Sequence, residues 1–172
     1  MVLDVNLTDA DKLAYFQKNF FTLDGLWMVA AEEHLGLDKA IEIDLDVWER
    51  FFPIIYRRIT QYLGIEGRTA EDFVRVLAFR WAAEGWTFTI DEASPERAVV
   101  SIHAGGCPYY EGLQRAQRPD KVPRICNDVC DRLYEIAAQT FNPEIKVSRT
   151  RRLGNGDETC NFVFEIACPA EE

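Results

Sequence analysis

Three features of the sequence predict an α+β fold. Apolar residues recur at helical spacing as far as Gly85, the spacing switches to strict alternation at Trp86, and short turn sequences join the alternating segments. Strands joined by tight turns pair antiparallel. The expected architecture is a set of N-terminal helices packed on a four-stranded antiparallel sheet, the sheet being two β-hairpins separated by helices. At 172 residues the chain is expected to be one domain, with a helical half at 1–85 and a sheet-forming half at 86–172.

Thr8 and Asp11 form a capping box, and Leu13, Phe16, Phe20, Trp27, Ala30 and Ala31 follow at helical spacing. The pattern runs to His34 and stops at Gly36. Asp24-Gly25 interrupts it, which predicts two helices or one kinked helix, with Asp24 an N-cap for the second part. A further helix is expected from Asp44 or Asp46, with Trp48, Phe51, Phe52, Ile55, Ile59, Tyr62 and Leu63 as its apolar stripe, a bend at Pro53 and an end at Gly64. Thr69 and Asp72 cap a third helix carrying Phe73, Val76, Leu77 and Trp81, closed by Gly85. Strands are expected at Trp86–Ile90 and Arg97–His103, around a turn at Ser94-Pro95. Ala104-Gly105-Gly106 breaks the second strand, Pro108–Arg115 is a short helix and Gln117–Pro123 a polar loop. A long helix from Ile125 to Asn142-Pro143 precedes strands at Ile145–Leu153 and Cys160–Ala167, joined by Gly154-Asn155-Gly156-Asp157.

Charge and hydropathy narrow the function classes. There are 19 basic and 29 acidic residues, a net charge of −10, so the basic footprint of a nucleic-acid binder is absent. No apolar run reaches the ~18 residues of a membrane span, and MVLDVNLTDADK has acids where a signal peptide needs a basic region and an apolar core. A cytoplasmic protein, without nucleic-acid or membrane partners, is the expectation. Residues 1–50 hold 11 acids and 4 bases, whereas Glu144–Arg152 holds Lys146, Arg149, Arg151 and Arg152 against one acid. That basic strand is either a solvated surface or, through Arg149 and Arg151, an anchor for a carboxylate ligand.

Five cysteines are poorly explained as disulfides in a reducing compartment. Cys126 and Cys130, four apart in the long helix, share one face. Cys107 follows a strand in a glycine-containing loop, and Cys160 opens the last strand on its apolar face with Phe162, Phe164 and Ile166. Cys168 lies eight residues on, roughly 26 Å along an extended strand, and cannot share a metal with Cys160. Cys107, Cys126, Cys130 and Cys160 therefore form the candidate ligand set for zinc or an iron–sulfur cluster, against the plainer reading of four small buried hydrophobes. A nucleophilic cysteine is the third reading: Cys126 near a helix N-terminus, or Cys107 four residues after His103, with His103 as base.

Asp24 borders the buried stripe, and Glu32 lies eight residues on along nearly the same face. Asp24 is a candidate catalytic base as well as a candidate cap. Trp27, Trp48 and Trp81 fall on apolar stripes, which marks them as core, with ligand contact the alternative retained for Trp27. Tyr109, beside Cys107, can line a pocket.

The segment Leu23-Asp24-Gly25-Leu26-Trp27, with Glu32-Glu33, Gly36 and the run Ala40, Glu42, Asp44 and Trp48, resembles a bacterial and archaeal group related to the L-2-amino-thiazoline-4-carboxylate hydrolase-like proteins. The C-terminal half, with a helix cysteine and Gly156, Cys160 and Phe162 at its end, is similar to the 4-vinyl-reductase domain. The first resemblance implies ring opening of a small cyclic carboxylate, with a cysteine nucleophile. The second implies a small-molecule-binding module with zinc on a helix cysteine, a Glu-x-x-Cys and a last-strand cysteine. Cys126 or Cys130 and Cys160 match two of those positions, while Arg149 and Arg152 stand in place of the Glu and Cys. Cys107 and the second helix cysteine would then complete a rearranged site.

The leading expectation is a small-molecule-binding protein with a cysteine-ligated zinc or iron–sulfur site. The alternatives are a metal-independent hydrolase with Asp24, His103 and Cys126 as catalytic residues, and a ligand sensor or partner-binding module without catalysis. The small carboxylate ligand would meet Trp27, Tyr109, Arg149 and Arg151, the helical half would serve as the interaction surface of a partner-binding module, and a homodimer is one option for the chain.

Overall fold

A computed structural model describes residues 6–166. Cys168 lies outside them. The first helix, α1 (Asp9–Leu35), starts on the expected capping box: the Asp11 N–H donates to the Thr8 hydroxyl at 3.1 Å, and the Thr8 N–H donates back to the Asp11 carboxylate at 2.9 Å. It is one continuous helix, so Asp24 is not a cap. A glycine inside a helix costs about 1 kcal/mol, which the 27-residue helix absorbs at Gly25 by packing along its neighbour.

The second helix, α2 (Leu37–Leu63), begins well before the expected Asp44. Gly36 alone makes the turn: at φ +82° it closes α1 and opens α2. Left-handed backbone of this kind favours glycine. Asp44 therefore lies inside α2, on the face that carries Trp48, and Pro53 also sits within the helix. α3 (Ala70–Glu84) starts on the Thr69–Asp72 capping box and ends at Gly85, in the left-handed conformation.

Strands β1 (Phe88–Ala93) and β2 (Arg97–His103) form the first hairpin. α4 (Pro108–Arg115) follows as expected. The polar loop is shorter than its composition suggests: a 3₁₀ turn at Pro119–Lys121 leads through Val122 and Pro123 into a π-helical stretch, Arg124–Val129, that continues as α5 (Cys130–Phe141). β3 (Ile145–Ser148) stops five residues before Leu153, and β4 spans Thr159–Ile166. The last two strands pair antiparallel, from Ile145 opposite Ile166 to Ser148 opposite Val163. Their connection is a broad loop with a 3₁₀ turn at Leu153–Asn155, not a two-residue turn. The sheet order is β1-β2-β4-β3, with every neighbour antiparallel.

The core lies between the sheet and the helices α2, α3 and α5. Trp48, Phe52, Tyr56, Phe73, Leu77, Trp81, Tyr134, Phe141, Phe162 and Phe164 fill it, and the Trp81 indole donates to the Tyr134 hydroxyl at 2.9 Å. α1 has no buried residue and leaves Phe16, Leu23 and Leu26 more than half exposed. Trp27, expected on a core stripe, is 41% exposed on the same helix. No helix of the described residues is long and apolar enough to cross a membrane.

Candidate functional site: a thiol cluster and a buried arginine

The four predicted cysteines come from separate elements. Cys107 is placed by the exit from β2. The Gly106 N–H donates to the His103 carbonyl at 2.9 Å, the Thr87 N–H donates to the Gly106 carbonyl at 3.0 Å, and a Cβ on Gly106 would lie 2.3 Å from the Thr87 oxygen. Only glycine fits that approach, and it delivers Cys107 to the N-cap of α4, where the Tyr110 N–H points at its sulfur at 3.5 Å. Cys126 lies in the π-helical turn and Cys130 is the first residue of α5. Gly154, in the loop before β4, comes so close that a Cβ there would meet the Cys126 Cβ at 2.4 Å. Cys160 is buried at the start of β4, and its sulfur accepts the Leu153 N–H at 3.1 Å. π-helical turns are concentrated at functional sites.

Arg149 reaches into this cluster. Its side chain is 2% exposed, donates to the Cys160 sulfur at 3.3 Å, to the Cys126 carbonyl at 3.2 Å and to the Asp131 carboxylate at 2.7 Å, and stacks 4.4 Å over the Phe162 ring. Arg152 holds the other Asp131 oxygen at 2.6 Å. Burial pushes the Cys126 thiol up to about 11 and Cys130 up to about 12, and raises Cys107 further; neighbouring sulfurs add to this, while Arg149 opposes it at Cys126 and Cys130. At neutral pH these groups are therefore thiols. The expectation that Cys126 sits near a helix N-terminus does not hold, because helical backbone begins upstream of it at Pro119 and continues through Val122 and Pro123. His103 is exposed at the end of β2.

As the side chains stand, no three or more His, Cys, Asp or Glu groups among the described residues are arranged to hold a metal ion. The donor chemistry nevertheless suits a soft metal: the sulfurs of Cys107, Cys126, Cys130 and Cys160 are close enough for their charges to act on the Cys107, Cys126 and Cys130 thiols, beside one buried cation. Thiolate ligation deprotonates such groups outright.

A second constellation lies where α1, α2, α3 and α4 approach one another. Arg80, only 4% exposed, donates its Nε to Glu84 at 2.7 Å and stacks 4.5 Å over Trp48 and 5.7 Å over Phe52. Its Nη1 and Nη2 are buried without a partner, as are the hydroxyls of Tyr109 and Tyr56. Glu84 also accepts from the Trp86 indole at 3.1 Å. Burial, then Glu84, raises the Asp24 carboxyl, with Arg80 opposing. Asp44 is pushed up to about 7, first by burial and then by Asp24, against a hydrogen bond from Trp48. Tyr109 packs edge-on against Phe21 of α1, 5.1 Å between ring centres.

Residues 7–158 match the model of a family of unknown function (DUF6125). The chain belongs to that family. No curated protein matches the sequence. The DUF6125 span contains Asp24, Asp44, Arg80, Cys107, Cys126, Cys130 and Arg149, and ends just before Cys160.

The sequence-predicted residues of this DUF6125 chain divide between the two places. Cys107, Cys126, Cys130, Cys160 and Arg149 come together, and Asp24 and Tyr109 meet in the second. Arg149 is engaged with Asp131, Cys126 and Cys160, so it does not present a free fork to a carboxylate. Arg151 is exposed outside both, Trp27 is half-exposed on α1, and Glu32 is paired with Arg118 and Lys121. Sequence spacing does not mark Arg80, Glu84 or Asp44 as site residues. Arg80 had a readable signal: it stands on the buried stripe of α3 with Phe73, Val76, Leu77 and Trp81, where a charge is costly.

Proposed function

We propose that the protein binds a small molecule and holds a soft metal, zinc or an iron–sulfur cluster, through Cys107, Cys126, Cys130 and Cys160. The observation that carries the metal reading is the convergence of thiols from three places in the chain, Cys107, the helical pair Cys126 and Cys130, and Cys160, beside Arg149, which already donates to the Cys160 sulfur. Four thiolates around a metal carry net negative charge, and a buried guanidinium donating to sulfur offsets it. Small side-chain rotations would be needed to bring the sulfurs to the ~2.3 Å bonds that zinc requires. Because Cys107, Cys126 and Cys130 start protonated, loading must release protons, and affinity must fall as pH is lowered.

Anaerobic purification followed by elemental analysis and a visible spectrum tests this. One zinc per chain, or iron with a sulfide-to-iron charge-transfer band, is the expected result. Metal far below one equivalent, with no proton release on titration of zinc into the purified chain, overturns it. The second reading, a hydrolase of a small cyclic carboxylate, draws support from one observation: Asp44, held near 7 beside Asp24, is suited to general acid–base work. It predicts turnover that survives metal removal. The homodimer belongs to the same proposal: the apolar face that α1 leaves open supports self-association, and a monomer in sedimentation velocity at tens of micromolar would overturn it.

A further inference from the structure

We propose that the exposed stripe of α1 receives the same stripe of a second copy of this chain, running antiparallel, in one register. This rests on the homodimer proposed above and supplies its packing and its charge pairs.

α1 is a 27-residue helix without a buried residue. Its partly buried positions, Gln17, Phe21, Asp24 and Met28, turn toward the rest of the fold: the Gln17 side chain donates to the Ala83 carbonyl at 2.9 Å, and the Phe21 ring meets Tyr109. About a quarter turn round the helix, Leu13, Phe16, Phe20, Leu23 and Trp27 are between 38% and 72% exposed. Their spacing alternates between three and four residues and continues to Ala30, which is the seam by which one helix packs along another. At about 200 Å² for an aromatic side chain, Phe16, Phe20 and Trp27 leave about 300 Å² open. Leu13, Tyr15, Leu23 and Leu26, each at least half exposed, roughly double that. The total approaches the ~800 Å² that each partner gives to a standard interface, and a continuous apolar patch of this size marks a docking surface.

The charges select a second copy as the occupant. The chain carries −10 overall, which would drive two copies apart on an ordinary face. From Leu13 to Ala31, however, the only charged residues are Lys18 and Asp24, and neither stands on the seam. The same spacing carried outward reaches Asp9 at one end and His34 at the other. Place a two-fold axis between Phe20 and Leu23. Phe16 of one copy then meets Trp27 of the other, Phe20 meets Leu23, Leu13 meets Ala30 and Asp9 meets His34, each pair occurring twice. This two-fold register leaves no seam residue from Leu13 to Ala30 without a partner. Lys12 and Glu33, on one edge of the seam, face each other across it. A parallel pairing would instead set Lys12 against Lys12 and Glu33 against Glu33, so charge favours the antiparallel arrangement.

Sedimentation velocity across a concentration series tests this with two exposed-site variants of the full chain, Phe16→Glu and Trp27→Lys, each checked for folding by thermal unfolding. Each variant alone leaves two charges facing aromatic rings and should weaken dimerisation about tenfold or more. In an equimolar mixture, one Glu–Lys pair and one native Phe–Trp pair form in the same dimer, so the mixture should dimerise about tenfold more tightly than either variant alone. Thr22→Glu, on the opposite side of α1, adds the same charge away from the seam and should leave the dimer unchanged. A parent chain that stays monomeric overturns both this inference and the homodimer. A parent dimer that neither variant weakens, or that Thr22→Glu weakens equally, overturns the α1 face alone and leaves the homodimer standing. Weakened variants whose mixture does not recover overturn the antiparallel register.

Discussion

Replacing Asp44 with asparagine should stabilise the protein above about pH 7 and change little below about pH 4. The carboxyl moves from its ordinary 3.8 to about 7 on folding, chiefly because α2 carries it out of water and secondly because Asp24 is beside it. Between those two values the folded chain keeps a proton that the unfolded chain releases. Stability is therefore lost as pH rises through the window, and the whole penalty is present above it. At about 1.36 kcal/mol for each pH unit, the full shift corresponds to about 4 kcal/mol. Asp44 is half-buried rather than sealed, and water screening brings the expected gain in Asp44→Asn to about 2 kcal/mol. Asparagine is nearly isosteric and can still accept from Trp48. Urea unfolding followed by tryptophan fluorescence, on both chains without ligand from pH 4 to pH 8.5, checks this. The difference between the two curves isolates Asp44 from every other titrating group. Parallel curves, or a variant less stable than the parent at pH 8, would refute the assigned burial and the charge repulsion from Asp24.

Gly154→Ala places a Cβ 2.4 Å from the Cys126 Cβ; it should destabilise by about 1–3 kcal/mol in urea unfolding, with Cys126→Gly in the same chain restoring part of the loss. Tyr134→Phe removes the acceptor of the Trp81 indole N–H at 2.9 Å and should cost about 1–3 kcal/mol, because the buried donor is left unpaired. In metal-free protein at neutral pH, Cys126, held at about 11, should alkylate at least a hundredfold more slowly than a free thiol of ordinary pKa near 8.5, with the rate climbing as pH rises past 9. One clustered cysteine labelling at the rate of a free thiol, followed by mass spectrometry, would contradict the burial described for it.

Much of the framework was legible because the forces that set it are local. The capping boxes at Thr8 and Thr69, the ends at Gly64 and Gly85, and the strand at Arg97–His103 depend on hydrogen bonds and steric limits a few residues long. The alternation that puts Cys160, Phe162 and Phe164 on the buried side of β4 is equally local. The errors fell where local signals compete with packing. Asp24-Gly25 has the residues of a helix boundary, but burial of Asp24 near Arg80 and Glu84 and the pairing of α1 with α2 keep the helix unbroken. Asp44 has the residue type of a cap, yet Gly36 starts α2 earlier and carries Asp44 into the packed face.

The sequence by itself determined the α+β class, the order of the elements, and the grouping of Cys107, Cys126, Cys130 and Cys160 as a set. Each of these rests on periodicity or spacing along the chain. Only the tertiary structure decided which arginine has a hand free. Arg149 and Arg151 stand in the visibly basic strand, but both terminal nitrogens of Arg149 are spent on Asp131, Cys126 and Cys160, leaving only its Nε unpaired, and Arg151 faces outward. Arg80, on an apolar stripe, is buried against Trp48 with its outer nitrogens unpaired. Whether a buried donor is satisfied depends on groups brought together from distant helices, and no spacing within one segment encodes that sum.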